Sequence, residues 1–298
     1  MQKRFQSQLA LWVQAARPKT LPAAVAPVAV GSAAAYEAGR FQLIPALACL
    51  ACAIVLQVAV NFANDYFDHK NNIDSKDRLG PVRVTQSGLI PPVEVRNAMI
   101  FALFLAALLF LYLVSVGGGA VILIGTASIL AALAYSGGPY PLASHGLGEL
   151  FVFIFFGLVA VCGTYFIQAG GLSRTAVMSS VPPGLLITAI MVVNNLRDIE
   201  TDSKAGKNTL AVMLGRRGTI IEYTFLLSIC YLIPVFLVFY DKSIAICLPL
   251  LTLPSGFSLI REVRTKKGSA LNETLAQTAK LSLLYSLLFA FGLASPWG

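Results

Sequence analysis

Apolar runs of close to 20 residues recur along the whole chain, separated by breaks rich in Gly, Pro, Asn, Asp, Lys and Arg. They fall at 20–38, 43–62, 98–116, 119–136, 150–169, 177–195, 219–240, 243–260 and 279–297. A helix of about 20 apolar residues crosses the ~30 Å hydrocarbon layer of a bilayer, so the pattern predicts nine transmembrane helices. They would use most of the 298 residues. One all-α domain embedded in the lipid bilayer is therefore expected over 1–298. The opening MQKRFQSQLALWVQAARPKT is basic and amphipathic, with no small-residue cleavage site after a short apolar core, so the first helix is expected to be retained.

Composition supports this reading: 57% of residues are hydrophobic and 12% charged, with a mean hydropathy of +0.75, whereas soluble domains carry about 25% charged residues. The net charge of +8 raises the question of nucleic acid, and the placement of the charges answers it. All of the 22 Lys and Arg except Arg40, Arg174 and Lys242 collect before the first predicted helix or after the second, sixth and eighth. In a nine-span chain those segments share one face. The positive-inside bias puts that face and the N-terminus in the cytoplasm and the C-terminus outside, with no nucleic-acid partner needed. Five cysteines all lie within apolar runs, where Cys packs as a small hydrophobe. His69 and His145 are the only histidines, too few for a His-rich metal centre.

The long polar loops carry the candidate chemistry. VNFANDYFDHKNNIDSKDRLGP (Val60–Pro81) closes the second run, and VVNNLRDIETDSKAGKNTLAVMLG (Val192–Gly215) closes the sixth. Asn61 precedes Asp65 by four residues and Asp68 follows by three; Asn194 precedes Asp198 by four and Asp202 follows by four. Such spacings share one helix face. Both clusters continue into Asp-Ser-Lys, a hint of weak internal duplication. Acid-rich and base-rich membrane loops are commonly solvated surface, but two clusters at matching helix ends ask for more. Carboxylates oppose the negative end of a helix dipole, and an acid near the membrane core costs about 2.5–3.5 kcal/mol on insertion scales, so both clusters call for cations. Hard oxygen donors without His or Cys suit Mg²⁺ shared with substrate phosphates. Lys76, Arg78 and Arg83 after the first cluster, and Lys204 and Lys207 after the second, can meet a diphosphate directly. Arg17 and Lys19, where the first helix enters the membrane, suit either snorkelling or diphosphate contact.

With these residues in view, the chain resembles the UbiA-type intramembrane aromatic prenyltransferases, through NDYFD (Asn64–Asp68) and DIETD (Asp198–Asp202). Within that superfamily it is most similar to the naphthoate-prenylating members of menaquinone biosynthesis. ARPKTLPAAVAPVAVG (Ala16–Gly31), RLGPVRVTQSGLI (Arg78–Ile90), YSGGPYPLASHGLGE (Tyr135–Glu149) and NNLRDIETDSKAGKNTLAVMLG (Asn194–Gly215) carry this likeness. Asn72 departs from it, standing where those members often have Gly. The resemblance implies a helical bundle with a central cavity, in the bacterial inner membrane. It implies Mg²⁺ bridging a polyprenyl diphosphate to Asp65, Asp68, Asp198 and Asp202, with Asn64 and Asn194 as further ligands. Arg78, Arg83, Lys204, Lys207 and Arg17 would contact the diphosphate. Prenylation of 1,4-dihydroxy-2-naphthoate with loss of carbon dioxide and diphosphate, forming demethylmenaquinone, is the implied reaction. Tyr66, Phe67, Tyr135, Tyr140 and Phe62 are open either to packing or to facing an allylic cation, and His145 either to assisting the aromatic acid or to no role. Asp74 and Asp77 have no assigned role.

The rival class is a transporter or channel, which places ionisable groups near the midplane on broken helices. Here the runs are nearly free of charge and the acids gather at one face, which favours an enzyme.

Overall fold

Apolar length and local capping account for where the helices start and stop. The computed structural model describes residues 7–70, 79–80, 83–240 and 243–295, so Asp74, Lys76, Asp77 and Arg78 lie outside the described residues. Ser7 caps α1 (Gln8–Ala16), its Oγ accepting from the Ala10 amide at 3.3 Å. The helix ends at Arg17, which takes left-handed backbone with φ 51°, and a 3₁₀ turn at Pro18–Thr20 redirects the chain. It enters α2 (Pro22–Glu37) with proline in the first turn, where a missing N–H costs nothing. Next come α3 (Leu43–Lys70), α4 (Pro92–Gly117) and α5 (Gly119–Ser136). A composite span follows: α6 (Gly148–Val152), a π-helical stretch at Phe153–Val159, and α7 (Ala160–Ala169). After α8 (Arg174–Lys204) and α9 (Leu210–Val238), a 3₁₀ segment at Ile244–Thr252 leads into α10 (Leu253–Thr265), and α11 (Leu271–Ala294) closes the bundle.

Among the described residues eight helices, not the expected nine, are long and apolar enough to cross a membrane. The difference lies in the first run. The turn at Pro18–Thr20 delays the helix, and α2 is left with 16 residues, about 24 Å at 1.5 Å per residue. It packs inside the bundle against α7, α8 and α11. Two other boundaries also shift in a way that matters. The second run does not end at 62, because α3 continues for 28 residues to Lys70, and α8 runs for 31 residues to Lys204. Asp65, Asp68, Asp198 and Asp202 therefore stand within the last turns of these two helices, as the helical spacing predicts.

α8 is the central helix: 72% of its apolar window is buried, against 17–50% for the other spans. Close backbone approach makes this possible. A Cβ on Gly157 in the π-helical stretch would lie 2.9 Å from the Cα of Gly184 on α8. Gly31 serves α2 similarly, where a Cβ would meet the Val161 carbonyl of α7 at 2.5 Å. Outward faces expose Phe101, Phe104, Leu123, Phe225, Leu232 and Phe291, which suits hydrocarbon as solvent. Two of the largest interior polar side chains find partners within the bundle: Tyr285 Oη donates to the Cys230 carbonyl at 2.7 Å, and Tyr223 Oη lies 3.0 Å from Thr278 Oγ1.

Gly31→Leu should lower the thermal unfolding midpoint in detergent, reflecting overpacking against backbone of about 1–3 kcal/mol. Gly119→Ala, where a Cβ meets nothing within 4 Å, should leave the midpoint unchanged; equal midpoints for both variants would refute the packing account.

Candidate active site

The last turns of α3 place Asn61, Asn64, Asp65 and Asp68 on one face, and those of α8 place Asn194, Asp198, Thr201 and Asp202 on another. Asn64, Asp68, Asn194, Asp198 and Asp202 line one cavity of about 150 Å³, together with Arg17, Arg83 and Lys207. That volume is about five times the ~30 Å³ share of one liquid water. The cavity's lining is mostly polar and charged, which suits a polar head group.

Each lining acid is held by a cation. Asp68 pairs with Arg83, whose Nη1 also donates to the Asn64 carbonyl at 2.5 Å. The Asn64 side-chain oxygen accepts from Ser136 Oγ at the end of α5. Asp198 is gripped by Arg197 through Nε at 2.8 Å and Nη2 at 2.5 Å. That Nη2 also reaches Asn194 Oδ1 at 2.8 Å, while Nη1 reaches Asn272 Oδ1 on α11 at 2.7 Å. Asp202 faces Lys207 Nζ at 3.4 Å. A glycine-dependent cap builds this last pair: Gly206, at φ 74°, turns the chain past α8, and the Lys207 amide donates to the Asp202 carbonyl at 2.9 Å. Burial makes these pairings compulsory, since a buried charge without its partner costs several kcal/mol.

Asp65 differs from the other three acids. It is 2% exposed and lies behind the lining, near Arg83 and Arg17, and its Oδ1 has no hydrogen-bond partner among the described residues. Asn61 turns away from the cavity, its Nδ2 donating to the Ala16 carbonyl and to Thr20 Oγ1, both at 2.9 Å. This ties α3 to the strained turn that carries Arg17. Lys204 is exposed and does not line the cavity. It stands two residues beyond Asp202, about 200° around the helix. Of the five candidate aromatics, only Tyr135 lines the cavity. Phe62 packs edge-on against Trp12, Tyr66 against Phe67, and Tyr140 stacks on His145.

Could this donor set hold Mg²⁺? The oxygens are all carboxylate or carboxamide, and the buried Asp65 oxygen lacks a partner, so the chemistry fits a hard cation. Among the described residues no three acids converge on one point. Each ion would therefore draw oxygens from one helix face and complete its shell with ligand oxygens.

Arg197 is one of the basic residues gathered on the expected cytoplasmic face by charge alone, yet it stands inside NNLRD, bonded to Asn194 and Asp198. Asn272 gave no signal in the sequence, because it reaches the site from α11, 75 residues away in the chain. Ser136 lies inside the family-like stretch Tyr135–Glu149, which gave it no role of its own.

The UbiA prenyltransferase family model matches residues 24–290. The chain is 36% identical to a 1,4-dihydroxy-2-naphthoate octaprenyltransferase of Haemophilus influenzae, covering 98% of both proteins. It is 37% identical to one of Escherichia coli, covering 98% of this chain and 97% of that protein. Its fold resembles a UbiA homolog from Archaeoglobus fulgidus bound to GPP and Mg²⁺, with a TM-score of 0.69 at 18% identity, covering 95% of this chain and 99% of that one. With its multi-pass helical bundle and a matched region spanning most of its length, the chain belongs to the UbiA prenyltransferase family.

Proposed function

We propose that this protein transfers a polyprenyl group from polyprenyl diphosphate to 1,4-dihydroxy-2-naphthoate, with loss of diphosphate and carbon dioxide. The observation that carries the reading is the opposition of two Asn/Asp faces, from α3 and α8, across one cavity ringed by Arg17, Arg83 and Lys207. The naphthoate specificity draws its support from the bacterial relatives' names. The metal draws its support from the Mg²⁺-bound homolog and from the oxygen-only donor set.

Asn64, Asp65, Asp68, Asn194, Asp198 and Asp202 would hold the metal. Mg²⁺, when bound, supplies Lewis-acid neutralisation of the diphosphate. The basic residues do the rest of the charge work. Arg83 and Lys207 can exchange their carboxylate partners for diphosphate oxygens, so substrate arrival releases Asp68 and Asp202 as the anion takes over their cations. Arg197 is committed to four oxygens on α8 and α11 and stays as the structural counter-charge. Heterolysis of the allylic C–O bond sends its electron pair to diphosphate. The ring carbon bearing the carboxylate donates the pair for the new C–C bond, and departure of carbon dioxide returns a pair to the ring. The product leaves as the hydroquinone form of demethylmenaquinone, with no external oxidant consumed.

Orientation follows from the same site. Arg17 lines the cavity near the N-terminus, and Asn272 binds Arg197 at the start of α11. Arg17 and the start of α11 thus lie at the acid-bearing end, and the end of α11 lies at the other. The positive-inside bias makes the acid-bearing end cytoplasmic, and the bacterial relatives support the inner membrane as its location.

Membranes containing this protein, supplied with Mg²⁺, a polyprenyl diphosphate and 1,4-dihydroxy-2-naphthoate, should release carbon dioxide and form a prenylated naphthoquinol; prenylation of 4-hydroxybenzoate in its place would overturn the acceptor assignment. Chelation with EDTA should stop turnover, and added Mg²⁺ should restore it. Asp65→Asn and Asp198→Asn should each lower kcat by at least about 100-fold while the protein still purifies folded; wild-type rates in either would refute the metal assignment.

A further inference from the structure

The cavity has one wall that the diphosphate chemistry does not use. Tyr135 and Met191 form part of it, the Tyr135 hydroxyl meeting Met191 Sδ at 3.2 Å. Gly148 leaves room for the methionine, since a Cβ there would fall 2.2 Å from Met191 Cε. Asn195 joins this wall from α8, and α6 supplies Glu149 behind it. Both are almost fully buried, at 5% and 6% exposure. Asn195 Nδ2 donates to Glu149 Oε1 at 2.8 Å.

That bond decides which way the carboxamide points. The NH₂ faces Glu149 Oε1, so the carboxamide oxygen takes the other side. Among the described residues nothing hydrogen-bonds Asn195 Oδ1. A fixed acceptor therefore sits on the wall it shares with Tyr135 and Met191. A ligand group matching it is a neutral hydroxyl on a flat ring.

We infer that Asn195, positioned by Glu149, binds the aromatic acceptor by accepting a hydrogen bond from a ring hydroxyl. This rests on the proposed naphthoate prenylation. Of the acceptor's two hydroxyls, the one beside the carboxylate is bonded internally to it. The remote hydroxyl is the free donor, and its proton meets Asn195 Oδ1. Asn195 is then a substrate-binding residue and Glu149 a positioning residue that acts through it.

The test compares 2-naphthoate with 4-hydroxy-2-naphthoate, which differ only in that hydroxyl. Dissociation constants are measured by calorimetry on the purified full chain with Mg²⁺ and inorganic diphosphate present. The wild type should bind the hydroxylated compound about fivefold more tightly, as one neutral hydrogen bond predicts. Asn195→Ala should erase the preference, and Glu149→Gln, which keeps shape and bonding capacity but frees the carboxamide to flip, should at least halve it. Affinity for geranyl diphosphate should stay within about twofold of wild type in both. An unchanged preference in Glu149→Gln, a wild type that shows none, or a parallel loss of geranyl diphosphate binding would each overturn the inference. Because binding is read without turnover, a wild type that discriminates between these compounds yet fails to prenylate 1,4-dihydroxy-2-naphthoate would sink the proposed reaction and leave the subsite standing.

Discussion

A carboxylate at the edge of a hydrocarbon layer is tolerated only with a cation beside it, and the architecture of this site answers to that constraint. Asp68, Asp198 and Asp202 have Arg83, Arg197 and Lys207 as partners. Removing one member of such a pair strands the other in a medium that cannot solvate it. The resting site is thus nearly neutral, and a bundle that would otherwise reject four acids keeps them in place. On the proposed reading, Arg83 and Lys207 would turn to diphosphate oxygens, which would free Asp68 and Asp202 to hold the metal, while Arg197 would stay in place. Charge is conserved at each stage, so the site need not bear a large unbalanced charge before substrate arrives.

The three cations are anchored in different ways. Arg197 is tied to two residues on its own helix and to Asn272, whose Nδ2 in turn reaches the Leu79 carbonyl at 2.9 Å. It therefore couples α8 and α11 to the segment that follows α3. Lys207 hangs from the turn made by Gly206, and Arg83 comes from the short segment leading to α4. The first is locked within helices and the other two sit on connections. This division matches the one between a structural counter-charge and groups that change partners with substrate.

Around this polar end the bundle is organised for close contact. The central helix α8 carries the second acid face and Asn195, and it reaches its buried position through Gly184 and Gly157, where backbones nearly touch. The same helix therefore presents an acid face and, one residue along, a neutral face on which Met191 and Asn195 stand near Tyr135. On the proposed reading, the diphosphate would meet the cations and the flat ring would meet Tyr135 and Met191, about one helical turn apart.

Much of this was legible in the chain itself. Run lengths of apolar residues determine a membrane bundle, because a span needs about 20 of them whatever the topology. The three- and four-residue spacing of Asn and Asp determines two acid faces, because helical periodicity is local. Among the described residues eight spans stand where nine were predicted, because Pro18–Thr20 and Arg17 shorten the first helix, a turn that hydropathy does not register. Other decisions needed the fold. Asn272 reaches Arg197 and Ser136 reaches Asn64 from distant helices, Lys204 faces away from the cavity while Lys207 turns into it, and Asp65 lies behind Asp68. These are matters of which helix stands beside which, and at what rotation. A chain encodes those only through packing, so the sequence by itself named the acids, and tertiary structure alone decided which cation holds each of them.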